Sequence, residues 1–342
     1  MDSYSRSIGT VNAGKERATS PENGDCLPIL VIGHRRAQEL AQVLSCVRQI
    51  APRQLFLAMD GPRSTEEQEL TNAARTAAEQ AVDWPCKVEY LFSPVNRGCR
   101  RFVLEAISWF FEKVDAGIIL EDDILIHPEF PDFAAQLLQS PKIGIVAACT
   151  YPELLSPDFN EPAFLSRIPA IWGWACTRRI WTAFRNQQQD RPRKLITMAG
   201  RLAKRIGVWQ SLLFSLCLQL IDQEKLQAWD YEFAYFLITD QILCAYPKRS
   251  MASNIGFSPL ATHTAAAEPL TAPLTEGPLY LGAISVSSLV VNKGYMARQA
   301  LNTPFLPDYR LHTVNGLIAH GLEKIGVNQA RRQQWKRRLF SR

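Results

Sequence analysis

The sequence predicts an α/β fold with a mostly parallel central sheet flanked by helices, followed by an irregular second half. Three observations predict it. Short apolar runs alternate with helical patterns through residues 28–149, as right-handed crossovers between parallel strands require. Several of those runs end in charged residues, where such sheets bind ligands. A hydrophobic fraction of 47% over 342 residues is enough for one large core or two ordinary ones.

The elements follow in order. Pro28-Ile29-Leu30-Val31-Ile32 reads as a first strand, and Leu40, Val43, Leu44, Val47 and Ile50 share one face of the helix after it. Gln54–Met59 is a second strand, closed by Asp60-Gly61-Pro62. Ser64 and Glu67 form a capping box that opens an Ala- and Glu-rich helix to about Val82, which Trp84-Pro85 ends. Lys87–Phe92 is a third strand. A helix from about Arg97 to Val114 then carries a broad stripe of Phe102, Val103, Ala106, Ile107, Phe110 and Phe111. Gly117–Leu120 is a fourth strand, Pro128 opens another helix, and Lys142–Cys149 is a fifth strand.

The second half is less regular. Ile171-Trp172-Gly173-Trp174-Ala175 places two indoles around a glycine, which reads either as an aromatic platform for a sugar face or as plain core. Residues 185–226 read as a helical insert. Trp229-Asp230-Tyr231-Glu232-Phe233 starts a helix with acid near its N-terminus, and Leu243–Tyr246 is a short strand. The expected organisation is a disordered leader over 1–25 and a catalytic domain over 26–290, split at about 150. An extension over 291–342 ends in a basic tail.

Composition removes several classes. There is no GxGxxG after the first strand and no GxxxxGK[ST], so dinucleotide and P-loop readings lose their support. The eight cysteines form no CxxC pair and read as reduced thiols of a cytoplasmic protein. The net charge of +5 is concentrated from Lys324 onward, where seven cations face no acid, so a nucleic-acid partner is not expected. That tail interleaves Trp335, Leu339 and Phe340 with arginines. It reads either as a solvated basic end or as a peripheral contact with the inner face of an anionic membrane.

Glu121-Asp122-Asp123 leaves the fourth strand. Three adjacent carboxylates at the edge of a core repel one another unless a cation offsets them, and hard oxygen ligands suit Mg²⁺ or Mn²⁺. Beside them, His34-Arg35-Arg36 follows the first strand, Asp60 the second, and Asn96-Arg97-Gly98 precedes a helix. A nucleoside diphosphate needs a base acceptor, phosphate cations and a metal, and these loops offer all three.

In this order the motifs resemble nucleotide-diphosphosugar transferases of the GT-A fold, above all N-acetylglucosaminyltransferase I and bacterial proteins labelled hemolytic-protein-like. The bacterial group shares a WGWA segment, here Trp172–Ala175, a W-D-[YF]-x-[WF] segment, here Trp229–Phe233, and an N-I-G-F…A-T-H-T ending, here Asn254–Thr264. The resemblance covers about residues 28–265. It implies a metal-dependent glycosyltransferase that moves a sugar from a nucleotide-diphosphate donor, a UDP-sugar, to an acceptor hydroxyl with inversion. The acceptor half then lies in the irregular region, and a glycan, a lipid-linked glycan or a protein would serve as acceptor.

The resemblance also implies roles. Asp123 would ligate Mn²⁺ or Mg²⁺, with His263 as a second ligand. Asp122 would approach the ribose and Glu121 the donor sugar. Arg35 would meet the phosphates, with Arg36 as its alternative, and Asp60 would read the base beside Asn96. In the Trp229-Asp230 pair Trp229 would line the nucleotide-sugar site and the acid would be the catalytic base, with Glu232 in reserve. His34 and Cys176-Thr177 depart from the pattern. A sugar nucleotidyltransferase, or an inactive relative that only binds the nucleotide sugar, remains the alternative.

Overall fold

The computed structural model describes residues 26–256, 274–279 and 282–302. β1 (Ile29–Gly33) is buried along its whole length. α1 (Ala37–Ile50) buries Leu40, Val43, Leu44 and Val47 and ends on Ala51 in the left-handed region (φ 49°). β2 (Gln54–Met59) leads to α2 (Thr65–Gln80), whose N-cap Ser64 accepts from the Glu67 N–H at 3.4 Å. β3 (Lys87–Phe92), α3 (Cys99–Phe111) and β4 (Ala116–Glu121) follow. α3 is shorter than its apolar stripe suggests, because Gly98 at φ 80° sets its start and Val114 packs beyond its end.

Next come β5 (Ile124–Ile126), α4 (Phe130–Leu138), β6 (Ile143–Ala147), β7 (Ala163–Ser166), β8 (Trp174–Thr177) and α5 (Arg178–Gln187). The described chain continues through α6 (Leu195–Ile206), α7 (Val208–Asp222), α8 (Asp230–Thr239), β9 (Leu243–Pro247), β10 (Ala252–Asn254) and α9 (Lys293–Asn302). The chain divides into two compact units, Met1–Arg191 with Gln227–Met296, and Pro192–Leu226 with Ala297–Arg342.

The first unit is built on a mixed, mostly parallel sheet in the order β3-β2-β1-β4-β8-β6-β9-β7. β1, β2, β3 and β4 pair in parallel, as do β6 and β9, while β8 runs antiparallel to both β4 and β6. The carboxyl ends of β1, β2, β3, β4, β6 and β9 therefore share one edge. β5 and β10 form a separate antiparallel ribbon beyond β4. α3 packs on α5 and α5 on α8, enclosing a cluster of Phe56, Phe110, Phe111, Trp174, Trp181, Phe184, Trp229 and Phe233. Rings in tilted and edge-on contact at this density bury much apolar area and hold α8 against the sheet.

One glycine fixes the functional edge. A Cβ on Gly61 would lie 2.5 Å from Val95 O and 2.6 Å from Val95 N, so the β3–α3 loop closes directly over the end of β2. Backbone cannot give way as a side-chain tip can. Gly61→Ala is expected to destabilise the protein by about 2 kcal/mol, read from the urea midpoint. An unchanged midpoint would show that the two loops do not meet so closely.

Candidate active site at the carboxyl edge of the sheet

The end of β2 carries a dense hydrogen-bond network. Asp60 is 5% exposed and its Oδ1 accepts from the N–H groups of Gly61 (2.8 Å) and Arg97 (2.9 Å). Its Oδ2 accepts from Asn96 Nδ2 at 3.1 Å. Asn96 Nδ2 also donates to Gly61 O (2.9 Å), and its Oδ1 accepts from the Gly98 N–H (3.1 Å). Asn96 is thus committed to pinning the β3–α3 loop, and Asp60 keeps acceptor capacity only on Oδ2. Burial pushes the Asp60 carboxyl up, against the backbone donors and the nearby His34. The His34 ring contacts Gly61 O through Nε2 (2.9 Å), and its backbone N–H donates to Asp122 Oδ2 (3.2 Å).

The acids stand one strand away. Glu121 closes β4 opposite Ile32 of β1, and Asp122 and Asp123 form the turn into β5. Asp122 is 3% exposed and Asp123 8%. Arg36, just before α1, ion-pairs with both, meeting Asp122 Oδ1 through Nη2 and Asp123 Oδ2 through Nη1, the latter at 2.8 Å. Those carboxylates keep the guanidinium charged despite its burial. Among the described residues Arg36 is the one cation paired at this turn. Burial, then repulsion from Asp123 and Asp122, pushes the Glu121 carboxyl up; burial and Asp122 do the same to Asp123 against the pull of Arg36.

The β5–β10 ribbon brings a distant segment onto this turn. The Ile255 N–H donates to Asp123 O (2.9 Å), and a Cβ on Gly256 would lie 2.7 Å from Asp123 Cγ and 2.9 Å from Arg36 Nη1. Residue 256 must therefore be glycine while the Arg36–Asp123 pair stands. His263 lies outside the described residues.

Asp230 opens α8 and is half-buried. Its own N–H and that of Tyr231 favour the charged form, as a helix N-terminus does, but burial outweighs them and pushes its carboxyl up to about 6. Two observations put Asp230 with the other acids. It is near enough to Glu121 to raise that carboxyl, and the Cys99 thiol at the start of α3 feels Glu121, Asp230, Asp60 and Asp122 together. Burial first, then those four acids, push Cys99 up to about 12, which keeps it a neutral thiol. Glu232 is excluded as a base. It is 2% exposed and accepts from Arg100 Nε (2.9 Å), Arg100 Nη2 (2.7 Å) and Gln188 Nε2 (3.1 Å), with Arg191 at 3.5 Å. That network ties the first turn of α8 to the first turn of α3.

Two sequence expectations need correction. Arg35 does not face the acids: it ion-pairs with Glu67 of α2, and its neighbour Arg36 holds the position assigned to it. Trp229 is 4% exposed and stacks on Trp174 with ring centres 6.0 Å apart, so it braces Asp230 from within the core. Of the two readings of the WGWA segment, plain core is the one the burial supports. Trp174 and Ala175 belong to buried β8, and Trp172 is 8% exposed. Cys99 is a member of the site that the sequence did not single out, Gly256 was marked only within the Asn254–Thr264 segment, and Arg36 was the alternative that the unbroken His-Arg-Arg run offered.

Among the described residues no group of three or more His, Cys, Asp and Glu side chains is arranged to hold a metal ion. Asp123 offers one hard oxygen ligand, and the unbalanced charge of the turn suits a divalent cation.

No protein-family model matches the chain, and no curated protein matches it. Solved structures give remote likenesses. A mannosyltransferase from Pyrobaculum calidifontis, solved with GDP-Man and Mn²⁺, is 12% identical over 66% of this chain and 72% of its own, with a TM-score of 0.37. A putative glucose-1-phosphate thymidylyltransferase from Bacillus anthracis is 6% identical over 74% of this chain and 98% of its own, with a TM-score of 0.39. A glycosyltransferase from Streptococcus pneumoniae is 12% identical over 66% of this chain and 45% of its own, with a TM-score of 0.33. Likenesses this remote carry nothing about substrate or chemistry.

Proposed function

We propose that the protein is a metal-dependent glycosyltransferase of the GT-A type, moving a sugar from a nucleoside-diphosphate donor, a UDP-sugar, to an acceptor hydroxyl with inversion. One observation carries the reading. Glu121, Asp122 and Asp123 gather at a strand's carboxyl end with a single guanidinium, and a fourth carboxylate on another element lies within electrostatic reach. The arrangement has room for added positive charge and for a separate proton acceptor, the two requirements for breaking a sugar–diphosphate bond.

Asp123 would hold a divalent cation, with His263 as a candidate second ligand; when bound, the cation offsets the charge that develops on the leaving diphosphate. Arg36 turns from its carboxylates to the phosphates and adds stabilisation that is greatest in the transition state. Asp60 Oδ2 accepts from a base N–H, held in place by Asn96 and by the Gly61–Val95 contact. Asp122 faces the ribose and Glu121 the sugar. Asp230 takes the proton of the acceptor hydroxyl from the face opposite the leaving group, so the anomeric configuration inverts.

The test is a panel of nucleotide sugars with simple acceptors, read as free nucleoside diphosphate. Release of UDP with Mn²⁺ or Mg²⁺, abolished by a chelator, is expected. Formation of pyrophosphate from a nucleoside triphosphate and a sugar 1-phosphate would overturn the reading in favour of a nucleotidyltransferase. Donor binding without turnover on any acceptor would overturn it in favour of an inactive relative.

A further inference from the structure

We propose that the α6–α7 hairpin of the second unit seats the protein on an anionic lipid surface. Residues 192–221 contain Arg193, Lys194, Arg201, Lys204 and Arg205, and not one acid. Arg193 is paired with Asp222, and Arg205 is turned back onto Arg201 O at 2.7 Å. Among the described residues no carboxylate pairs with Lys194, Arg201 or Lys204, and all three are exposed.

The apolar pattern is as one-sided as the charge. α6 buries Met198, Ala199 and Leu202, its contribution to packing on α7. Its other side presents Ile196, Thr197, Gly200, Arg201 and Lys204, with Ile196 74% exposed. α7 has apolar residues all round, which in a water-soluble setting calls for burial on every side. Yet Val208 is 68% exposed, and Leu212, Leu216 and Leu220, following it at spacings of four, are only partly buried. Four residues per step keeps them on one stripe of the helix.

Apolar side chains and unpaired cations on one short hairpin are what an interfacial helix needs: the first enter the headgroup–acyl boundary while the second meet anionic headgroups. A nucleic-acid surface would use the cations but leave the leucine stripe unexplained. Among the described residues no helix is long and apolar enough to cross a membrane, so the contact is peripheral.

The experiment is co-sedimentation of the full chain with phosphatidylcholine vesicles, with and without phosphatidylglycerol. Binding only to the anionic vesicles, released by high salt, is expected. Arg201→Glu with Lys204→Glu should lower the vesicle-bound partition at least about tenfold, and Val208→Ser should lower it severalfold. All three positions are exposed, so unchanged melting midpoints should accompany the loss. No binding to anionic vesicles overturns the proposal and leaves the stripe to a protein partner. Variants that bind as well as the wild type overturn it too, and move the contact to the basic tail after Lys324.

Discussion

Asp230→Asn is expected to lower turnover by about 10²–10⁴-fold while leaving the affinity for the nucleotide-sugar donor nearly unchanged. The substitution keeps the shape of the side chain and its place in the first turn of α8, and removes only the capacity to accept a proton. The pH profile follows from the same carboxyl. Burial holds it near about 6, so the competent, ionised form is lost as the pH falls through that value and is saturated above it. Turnover should fall about tenfold per unit below that point, and the variant should lack that limb. Stability moves the other way. A carboxyl whose folded pKa is raised contributes stability that is present below its unfolded value and is lost as the pH rises through the folded one. At neutral pH the ionised Asp230 is therefore a burden, and the variant is expected to melt higher, by roughly 1–2 kcal/mol after allowance for partial exposure. An inactive variant that is also less stable would point to a helix-capping role, and an active one would remove Asp230 from the chemistry.

The first half of the fold was legible because its signals are local. Each strand of residues 28–121 is a short apolar run, each helix shows three-and-four spacing, and β1, β2 and β3 pair with their neighbours in sequence, β4 alone crossing back to β1. The second half is not local. β8 inserts between β4 and β6 although it lies beyond both in the chain, and β10 returns to β5 from more than a hundred residues away. Nothing in a window of the sequence announces such pairings, so Trp174 could be read as core but not placed on a strand between β4 and β6. The site shows the same division. The acids were legible from their run at a strand end. Arg35 and Arg36 were not separable, because in a loop only the loop's own path decides which one meets Glu67 and which meets Asp122. Glu232 was distinguishable from Asp230 only by helix position. The structure replaces that argument with a direct one, since Arg100 and Gln188 already occupy Glu232.

Asp123→Ala is expected to separate cation binding from folding. In the wild type at neutral pH, Mn²⁺ should raise the melting midpoint, because an ion that binds only the folded state adds about 2.7 kcal/mol at a hundredfold excess over its dissociation constant. In a chain of this size that is a shift of several degrees. The shift should fade as the medium is acidified, since protons compete for carboxyls whose folded pKa values are raised. In the variant the Mn²⁺ response and the metal-dependent part of donor affinity should both disappear. The ion-free midpoint should hold or rise, because Arg36 keeps Asp122 as its partner and the crowded turn loses one buried negative charge. A large fall in the ion-free midpoint would instead make the Arg36–Asp123 pair a structural strut. An undiminished Mn²⁺ shift would move the ion off the β4–β5 turn and remove Asp123 as its ligand.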